Sequence, residues 1–247
     1  MDFFRRKLRE LFTGREHGTG LVMAGVLLVA AILCGRSVAM QETASGRAAG
    51  VQTRLVIIDA GHGGDDPGKI GVDGTEEKDL NLKMALSLRE MLEQQDVEVR
   101  MTREDAGGLY DEHTSNKKVQ DMRRRCELIN REKPVCVVSI HQNSYHGEEI
   151  HGAQVFYYKT SRESEKLAQI LQKELIRVVD PSNHRQAKAN DTYYLLKKTE
   201  VPTVIVECGF LSNWEECKKL QDEKYQRKLM WAVHLGILKY LNENKFT

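Results

Sequence analysis

The hydrophobic positions of this chain alternate, from about residue 54 onward, between short apolar runs and segments with one apolar face. The short runs are rich in β-branched residues and are bounded by polar or glycine-containing stretches, which is typical of buried strands. They lie at Leu55–Ile58, Val135–Ile140, Ala153–Tyr158 and Thr203–Val206. Val97, Val99 and Met101 alternate with polar residues and predict a strand that has one polar face. Tyr193–Leu196 is a shorter strand candidate.

Apolar residues at helical spacing predict helices between these runs. The first helix opens at Glu76-Glu77, after a loop that contains four glycines in the eight residues 61–68. Further helices are predicted over Gln120–Glu132, Glu163–Val179 and Tyr225–Leu241, and Ser212-Asn213 has the pattern of a helix cap. Strands that alternate with helices predict an α/β fold, with an open, mostly parallel twisted sheet and helices on both faces. We expect a single catalytic domain over residues 54–247.

Residues 1–39 have the pattern of an export segment. A basic cluster at Arg5-Arg6-Lys7 precedes an uncharged, largely apolar stretch over residues 18–35. Small residues would suit cleavage after Ala39, and retention of the segment as a membrane anchor is an equally good interpretation. Residues 40–53 are predicted to be a flexible linker. Both interpretations predict a domain that works outside the cytoplasm.

The charge balance argues against one class of partner. The chain has 37 Lys and Arg against 36 Asp and Glu, and six of the basic and three of the acidic residues lie in the first 40 positions. The remaining body is therefore near neutral, with a net charge of about −2. Domains that bind nucleic acid usually have a basic face, so no nucleic-acid partner is expected.

The cysteines of the body do not form a recognisable metal or redox motif. None is part of a CxxC pair, and two of them fall inside apolar strand runs. We expect them to be small buried hydrophobic residues in preference to disulfides. They are Cys126, Cys136, Cys208 and Cys217.

Three polar residues share one placement in the predicted fold. His62, His141 and Glu207 each come at or just after the end of an apolar strand run. In an open α/β sheet, ligands bind at the carboxyl edge of the strands. The start of the first helix adds a second carboxylate there, from Glu76 or Glu77. Two histidines and one glutamate form a catalytic zinc set, and the other carboxylate is then a candidate general base for amide hydrolysis.

Each of these residues also has an ordinary structural interpretation. A loop histidine, a strand-end histidine that makes a hydrogen bond and a buried ion-pair glutamate are all common. An acidic residue in the first turn of a helix is favoured by the helix dipole. Their joint placement at three strand ends and one helix start favours the metal site over four separate coincidences.

The surrounding motifs resemble the zinc-dependent N-acetylmuramoyl-L-alanine amidases of bacterial cell-wall turnover. The matching pieces, in the family's order over residues 54–214, are IIDAGHGG, the glutamate of EEKDLNL, MTRE, VSIHQN and VIVECGFLSN. Ala60 is a departure, because many relatives have proline there. The shorter runs DTYYLL and RQAK resemble most closely the germination-specific amidases of spore-forming bacteria.

This resemblance implies a role for each residue of the set. His62, Glu77 and His141 would bind one zinc ion per domain, and Glu207 would be the catalytic acid or base. The implied reaction is hydrolysis of the amide between the lactyl group of N-acetylmuramic acid and L-alanine in peptidoglycan, in the setting of spore cortex maturation. Some relatives need an activating partner protein, so a partner of that kind is an open expectation.

Further polar residues are candidate substrate contacts. Asn143, two residues after the second histidine, is placed to orient substrate or water. Arg185 and Lys188 could meet a carboxylate of the peptide stem, although a solvated loop explains them equally well. Arg103 and Arg125 match positions of the family, and we expect both to have structural roles.

Two other functions fit part of the pattern. A zinc peptidase that cuts between amino acids of the stem peptide would use the same ligand set. A cell-wall-binding module that keeps the fold without catalysis would be expected to lack one of the four residues. All four are present, which favours the enzyme.

Overall fold

The computed structural model describes residues 54–244 of the 247-residue chain. The predicted export segment and linker, over residues 1–39 and 40–53, lie outside this described part and stay predictions. The strands of the described part are β1 Val56–Ala60, β2 Val99–Met101, β3 Cys136–Asn143, β4 Gln154–Tyr158, β5 Lys188–Asn190 and β6 Thr203–Phe210. Its helices are α1 Glu77–Glu93, α2 Lys117–Glu132, α3 Arg162–Val178, α4 Tyr194–Lys198, α5 Trp214–Gln221 and α6 Glu223–Glu243.

The strands form one six-stranded sheet in the order β2-β1-β3-β6-β4-β5. All neighbouring strands are parallel except β4 and β6, which are antiparallel. The predicted mostly parallel α/β sheet is therefore confirmed. Because β1, β3 and β6 are adjacent and parallel, their carboxyl ends lie side by side at one edge of the sheet.

Helices cover both faces of this sheet, as the unbroken apolar strand runs predict. Val56 and Ile58 of β1 belong to a core cluster that includes buried residues of α1, α3 and α6. Ile57 points the other way and packs with Ile129 of α2 and Leu195 of α4. The two faces follow from the period of two along a strand, which sends successive side chains to opposite sides.

The structure corrects one predicted strand. Tyr193–Leu196 is not a strand, because α4 occupies Tyr194–Lys198. The side-chain oxygen of Asn190 accepts hydrogen bonds from the backbone N–H groups of Thr192 and Tyr193, at 2.8 Å each. This local turn ends β5, which the hydrophobic pattern did not indicate, and directs the chain into the helix.

Two strands run further than their apolar patterns. β3 continues to Asn143 and β6 continues to Phe210, and the two residues are paired across the strands. His141 and Glu207 therefore lie inside strands near the carboxyl edge, and the prediction that both stand at strand ends is wrong by two to three residues. Mutual pairing of neighbouring strands extends both past the point where hydrophobicity stops.

The predicted cap and the four body cysteines are as expected. Asn213 caps α5, and its side chain accepts a hydrogen bond from the Glu216 N–H. All four cysteines are buried and free of disulfides. Within residues 54–244, no helix is both long enough and apolar enough to cross a membrane.

Candidate metal centre

Three separate segments bring one side chain each to the carboxyl edge of the sheet. His62 comes from the glycine-rich loop after β1, Glu77 is the first residue of α1, and His141 lies in β3. Glu77 lies between the two histidines, with Oε2 at 3.2 Å from His62 Nε2 and Oε1 at 3.0 Å from His141 Nδ1. One potential ligand atom from each residue lies within 4.8 Å of the other two, so this triad could hold a metal ion.

Glu77 is buried, with 1% of its surface exposed, and is held as a carboxylate. Its Oε2 accepts a hydrogen bond from the Lys69 N–H at 2.7 Å, and its Oε1 accepts one from the Gln142 N–H at 3.0 Å. Burial by itself raises the pKa of Glu77, but the contacts with His141 and His62 outweigh it and lower the pKa below the usual range. The helix N-terminus further favours the negative charge.

A carboxylate fixes the proton on the His62 ring. His62 Nδ1 lies 2.9 Å from Asp66 Oδ2. Burial raises the pKa of Asp66, but the contacts with His62, Gly68 and Lys118 together outweigh it and lower the pKa, so this carboxylate accepts and Nδ1 donates. Nε2 faces Glu77, so a ring that binds a metal while Nδ1 donates to Asp66 would present the Nε2 lone pair there. Two acceptors that face each other at this distance fit a cation between them.

Two glycines leave the space that this arrangement needs. A Cβ atom at Gly61 would lie 2.3 Å from Nε2 of the His141 ring. A Cβ atom at Gly68 would lie 2.5 Å from Glu77 Oε2, and its φ of +73° is itself in the left-handed region that favours glycine. The ligand side chains therefore approach the backbone more closely than any residue with a Cβ would permit.

Two arginines fix the backbone of the first histidine. Arg125 of α2 is 1% exposed and donates to the carbonyl of His62 at 2.6 Å and to Asp59 Oδ1 at 2.7 Å. Arg103 donates to the carbonyls of Ala60 at 2.9 Å and Gly61 at 3.1 Å. His62 has a φ of 61°, a strained conformation for a residue with a Cβ, and these contacts hold it there. The structural roles expected for both arginines agree with these contacts.

Glu207 lies beside this triad in a different electrostatic environment. It is paired with His141 across β3 and β6, and it is 7% exposed. Its Oε2 has no hydrogen-bond partner among the described residues. Burial raises the pKa of Glu207 to about 7; His141 opposes this shift and the charge of Glu77 adds to it. A carboxyl group with such a pKa exchanges protons readily near neutral pH, as a general acid or base must.

The triad and Glu207 line one cavity of about 270 Å³. α2 and α4 contribute Met122, Tyr194 and Leu195 to its walls, so part of the lining is apolar. The hydroxyl of Tyr193 interacts with Glu207, and burial raises the pKa of this tyrosine to about 12, so it stays protonated. The cavity thus combines a metal-binding donor set, a protonatable carboxyl group and an apolar wall.

The predicted substrate contacts have different positions. Asn143 lines the cavity. Arg185 is not among the lining residues, because it donates to the carbonyl of His151 at 2.7 Å and lies over the Phe210 ring at 4.7 Å. Lys188 is exposed on β5 and is not among the lining residues either. The geometry brings only the first of these three to the cavity, and the substrate roles of all three stay predictions.

Three side chains that contact the proposed ligands or Glu207 do not stand out in the sequence analysis. Asp66 holds His62, and Asn81 donates to Glu77 Oε1 at 3.3 Å. Asn81 lies four residues after Glu77, on the same face of α1, so helical spacing could have indicated it. Tyr193 was assigned to a strand, and its proximity to Glu207 depends on the turn that the hydrophobic pattern does not show.

Comparisons with known proteins agree on one family. The family model described as N-acetylmuramoyl-L-alanine amidase matches residues 56–239. A germination-specific N-acetylmuramoyl-L-alanine amidase of Bacillus subtilis (strain 168) is 38% identical over 193 residues, which are 77% of this chain and 81% of that protein. The solved CwlD amidase from Clostridioides difficile, in complex with the GerS lipoprotein, is 44% identical with a TM-score of 0.75, and the match covers 77% of this chain and 100% of that chain.

A second solved structure gives the same result. The N-acetylmuramoyl-L-alanine amidase from Clostridium difficile 630 is 31% identical with a TM-score of 0.69. The match covers 78% of this chain and 98% of that chain. The similarity therefore extends over nearly the whole of each solved domain.

Proposed function

This chain belongs to the N-acetylmuramoyl-L-alanine amidase family, and we propose that it uses zinc to hydrolyse the amide between the lactyl group of N-acetylmuramic acid and L-alanine in peptidoglycan. One observation carries the proposal. His62, Glu77 and His141 converge within 4.8 Å, beside Glu207, in a single cavity at the carboxyl edge of the sheet.

The proposed zinc ligands are His62 through Nε2, Glu77, and His141. Two neutral imidazoles and a carboxylate are a donor set that zinc prefers, and the set leaves a position open for chemistry. Zinc in such a site supplies Lewis-acid polarisation of a carbonyl group and lowers the pKa of water. The protein supplies the orientation, because Asp66, Gln142 and Arg125 hold the ligand side chains and backbone in place.

Glu207 is the proposed acid and base. Its ionised carboxyl group would accept a proton from the attacking water and then donate that proton to the nitrogen of the leaving alanine. Its raised pKa suits both steps, because neither the acid nor the base form is scarce near neutral pH. The proposed role of Asn143, which lines the same cavity, is to orient the substrate or the water.

The biological setting is proposed from the relatives. The Bacillus subtilis relative is germination-specific, which supports spore cortex as the substrate of this chain. We propose that the domain works outside the cytoplasm, and that residues 1–39 either are cleaved or anchor it to a membrane. The complex of the Clostridioides difficile amidase with the GerS lipoprotein supports a lipoprotein as an activating partner here.

The Glu207→Gln variant tests the proposed chemistry. The amide keeps the shape of the side chain but cannot accept a proton, so we expect hydrolysis of purified cortex fragments to fall at least ~100-fold, the lower range for general acid–base catalysis. Zinc content should stay near one per chain, because the ligands are untouched. Product analysis by mass spectrometry and metal analysis are the two measurements.

The matched control is Glu215→Gln, an exposed glutamate on α5. The rate at which this variant hydrolyses the cortex fragments should equal that of the unmodified chain. Full activity in the Glu207→Gln variant would contradict the proposed role. Products cut between stem amino acids, in place of free muramic lactyl groups and L-alanine amino termini, would instead favour a zinc peptidase.

A further inference from the structure

The main chain of Lys69 is bound to a proposed metal ligand. Its N–H donates to Glu77 Oε2 at 2.7 Å, and its carbonyl accepts from the Glu77 N–H at 3.0 Å. The next residue, Ile70, forms a β-bridge with Glu76. The main chain of Lys69 is therefore fixed relative to the triad, although the residue is exposed and lies in a loop.

Lys69 lines the cavity, and no acidic side chain of the described residues contacts its ammonium group; the charge acts on Glu207 only through space. Within residues 54–244, its Nζ has no ion pair or hydrogen bond of the kinds that bind the other cations of the cavity. Arg125 pairs with Asp59 and Asp121, and Lys118 lies 3.2 Å from Asp66 Oδ2. Among the lysine and arginine residues that line the cavity, Lys69 is the one for which residues 54–244 provide no ion pair.

An unpaired ammonium group beside a metal site requires an explanation. A divalent ion at the triad would repel it, and among the acidic residues that line the cavity only Glu207 is neither paired with a cation of the described residues nor a proposed metal ligand. Both positive charges are accommodated when an anion binds between them or next to them. The positive charges in the cavity would therefore favour a substrate that carries a carboxylate close to the scissile bond.

We propose that Lys69 binds the free α-carboxylate of the second stem residue, and that it makes the enzyme prefer stems in which this group is ionised over stems in which it is a carboxamide. This inference rests on the proposed function. When the second stem residue is a γ-linked glutamate, its α-carboxylate is attached to the Cα atom that follows the Cα of L-alanine. These two Cα atoms are about 4 Å apart, so the carboxylate lies one residue away from the amide that is cut. The lysine would therefore be a specificity determinant and not a catalytic residue.

The experiment compares two disaccharide tripeptides that differ only at this carboxyl group. One carries the α-carboxylate and the other carries the α-carboxamide. Binding is measured by calorimetry to the zinc-loaded full chain with Glu207→Gln, and hydrolysis is measured with Glu207 intact. We expect the carboxylate form to bind about two- to five-fold more tightly, which is the range of a solvent-exposed ion pair.

Three substitutions then identify the cause of that preference. Lys69→Met should reduce the ratio to about one, Lys69→Arg should retain it, and Lys69→Glu should favour the carboxamide. Lys173→Met is the matched control, because Lys173 is an exposed lysine of α3 outside the cavity lining, and it should leave the ratio unchanged. A merely structural role for Lys69 would not produce a preference that reverses with the sign of the charge.

The outcomes separate this inference from the proposed function. Equal binding of the two tripeptides when Lys69 is intact, or a preference that persists in Lys69→Met, would overturn the role of Lys69 while zinc-dependent hydrolysis stands. Failure of the zinc-loaded chain to bind or cut either tripeptide would overturn both. High salt offers a further check, because the preference should shrink as the ion pair is screened.

Discussion

At the scale of single residues, the candidate centre depends on which nitrogen of His62 carries its proton. A neutral imidazole can bind a metal only through the nitrogen that lacks the proton. Asp66 settles the choice, because it accepts from Nδ1 at 2.9 Å and leaves Nε2 facing Glu77. Asp66 is itself held, since its Oδ1 accepts from the Gly68 N–H at 3.2 Å.

The Asp66→Ala variant should therefore bind zinc about 10- to 100-fold more weakly, the usual cost of removing such a supporting carboxylate. The measurement is a competition titration with a chromophoric chelator. Asp65→Ala is the matched control, because the neighbouring aspartate is exposed and pairs with Lys117 outside the triad. An unchanged zinc affinity in Asp66→Ala would show that the His62 orientation has another cause.

The sequence predicts the candidate metal ligands and Glu207 better than the residues that hold them in place. His62, His141 and Glu207 were apparent because polar residues that follow apolar runs are unusual, and the family motifs then selected Glu77 over its neighbour. Asp66 and Lys69 lie in a loop whose path depends on the φ values of its glycines. No periodicity describes such a loop, so contacts made by its side and main chains become visible only in three dimensions.

At the scale of elements, hydrophobicity predicts where helices and strands lie but not where paired strands stop. β3 and β6 each continue past their apolar runs because each provides hydrogen bonds for the other. At α4, hydrophobicity predicts the wrong type of element, a strand in place of a helix. Leu195 and Leu196 are both buried, as adjacent residues of a fully buried strand would be, but a side-chain turn at Asn190 selects the helix.

A buried ion pair joins α2 to β1. Arg125 Nη1 lies 2.7 Å from Asp59 Oδ1, and Arg125 Nε lies 2.6 Å from Asp121 Oδ2. Burial raises the pKa of Asp59, but the charge of Arg125 together with hydrogen bonds from Ser139 and Thr102 more than offsets this effect, and the pKa falls to about 2. Removing the arginine would leave a buried carboxylate without its cation, which is more costly than losing the pair as a whole.

Arg125→Met is accordingly expected to lower the free energy of unfolding by about 3 to 5 kcal/mol, measured by urea denaturation. Adding Asp59→Asn should restore part of the loss. Arg123→Met is the control on the same helix, because its partner Glu127 is exposed and the pair should contribute less than about 1 kcal/mol. A loss in Arg125→Met no larger than that in Arg123→Met would contradict the cost of the unpaired carboxylate, and no recovery with Asp59→Asn would mean that Arg125 acts by packing.

At the scale of the whole molecule, the strand order brings distant parts of the chain to one edge. β1 and β3 are neighbours although β2 and two helices come between them in the sequence, and β6 then joins β3 from the other side. The class of sheet could be predicted from alternating elements. The order of its strands could not, because pairings between distant segments depend on packing that no local pattern records.

A metal ion at the triad would therefore connect the β1 loop, α1 and β3, and its binding should be measurable as stability of the entire fold. A ligand that binds only the folded state at 100 times its Kd adds about 2.7 kcal/mol, which corresponds to a rise in Tm of roughly 5–10 °C for a domain of this size. We expect that rise when zinc is added to chelator-treated full chain, followed by calorimetry, and its loss in His141→Ala. His184→Ala, which removes an exposed histidine away from the cavity lining, should keep the rise. If His141→Ala kept it as well, the stabilising zinc would be bound elsewhere, and the shared centre of the three segments would not be the metal site.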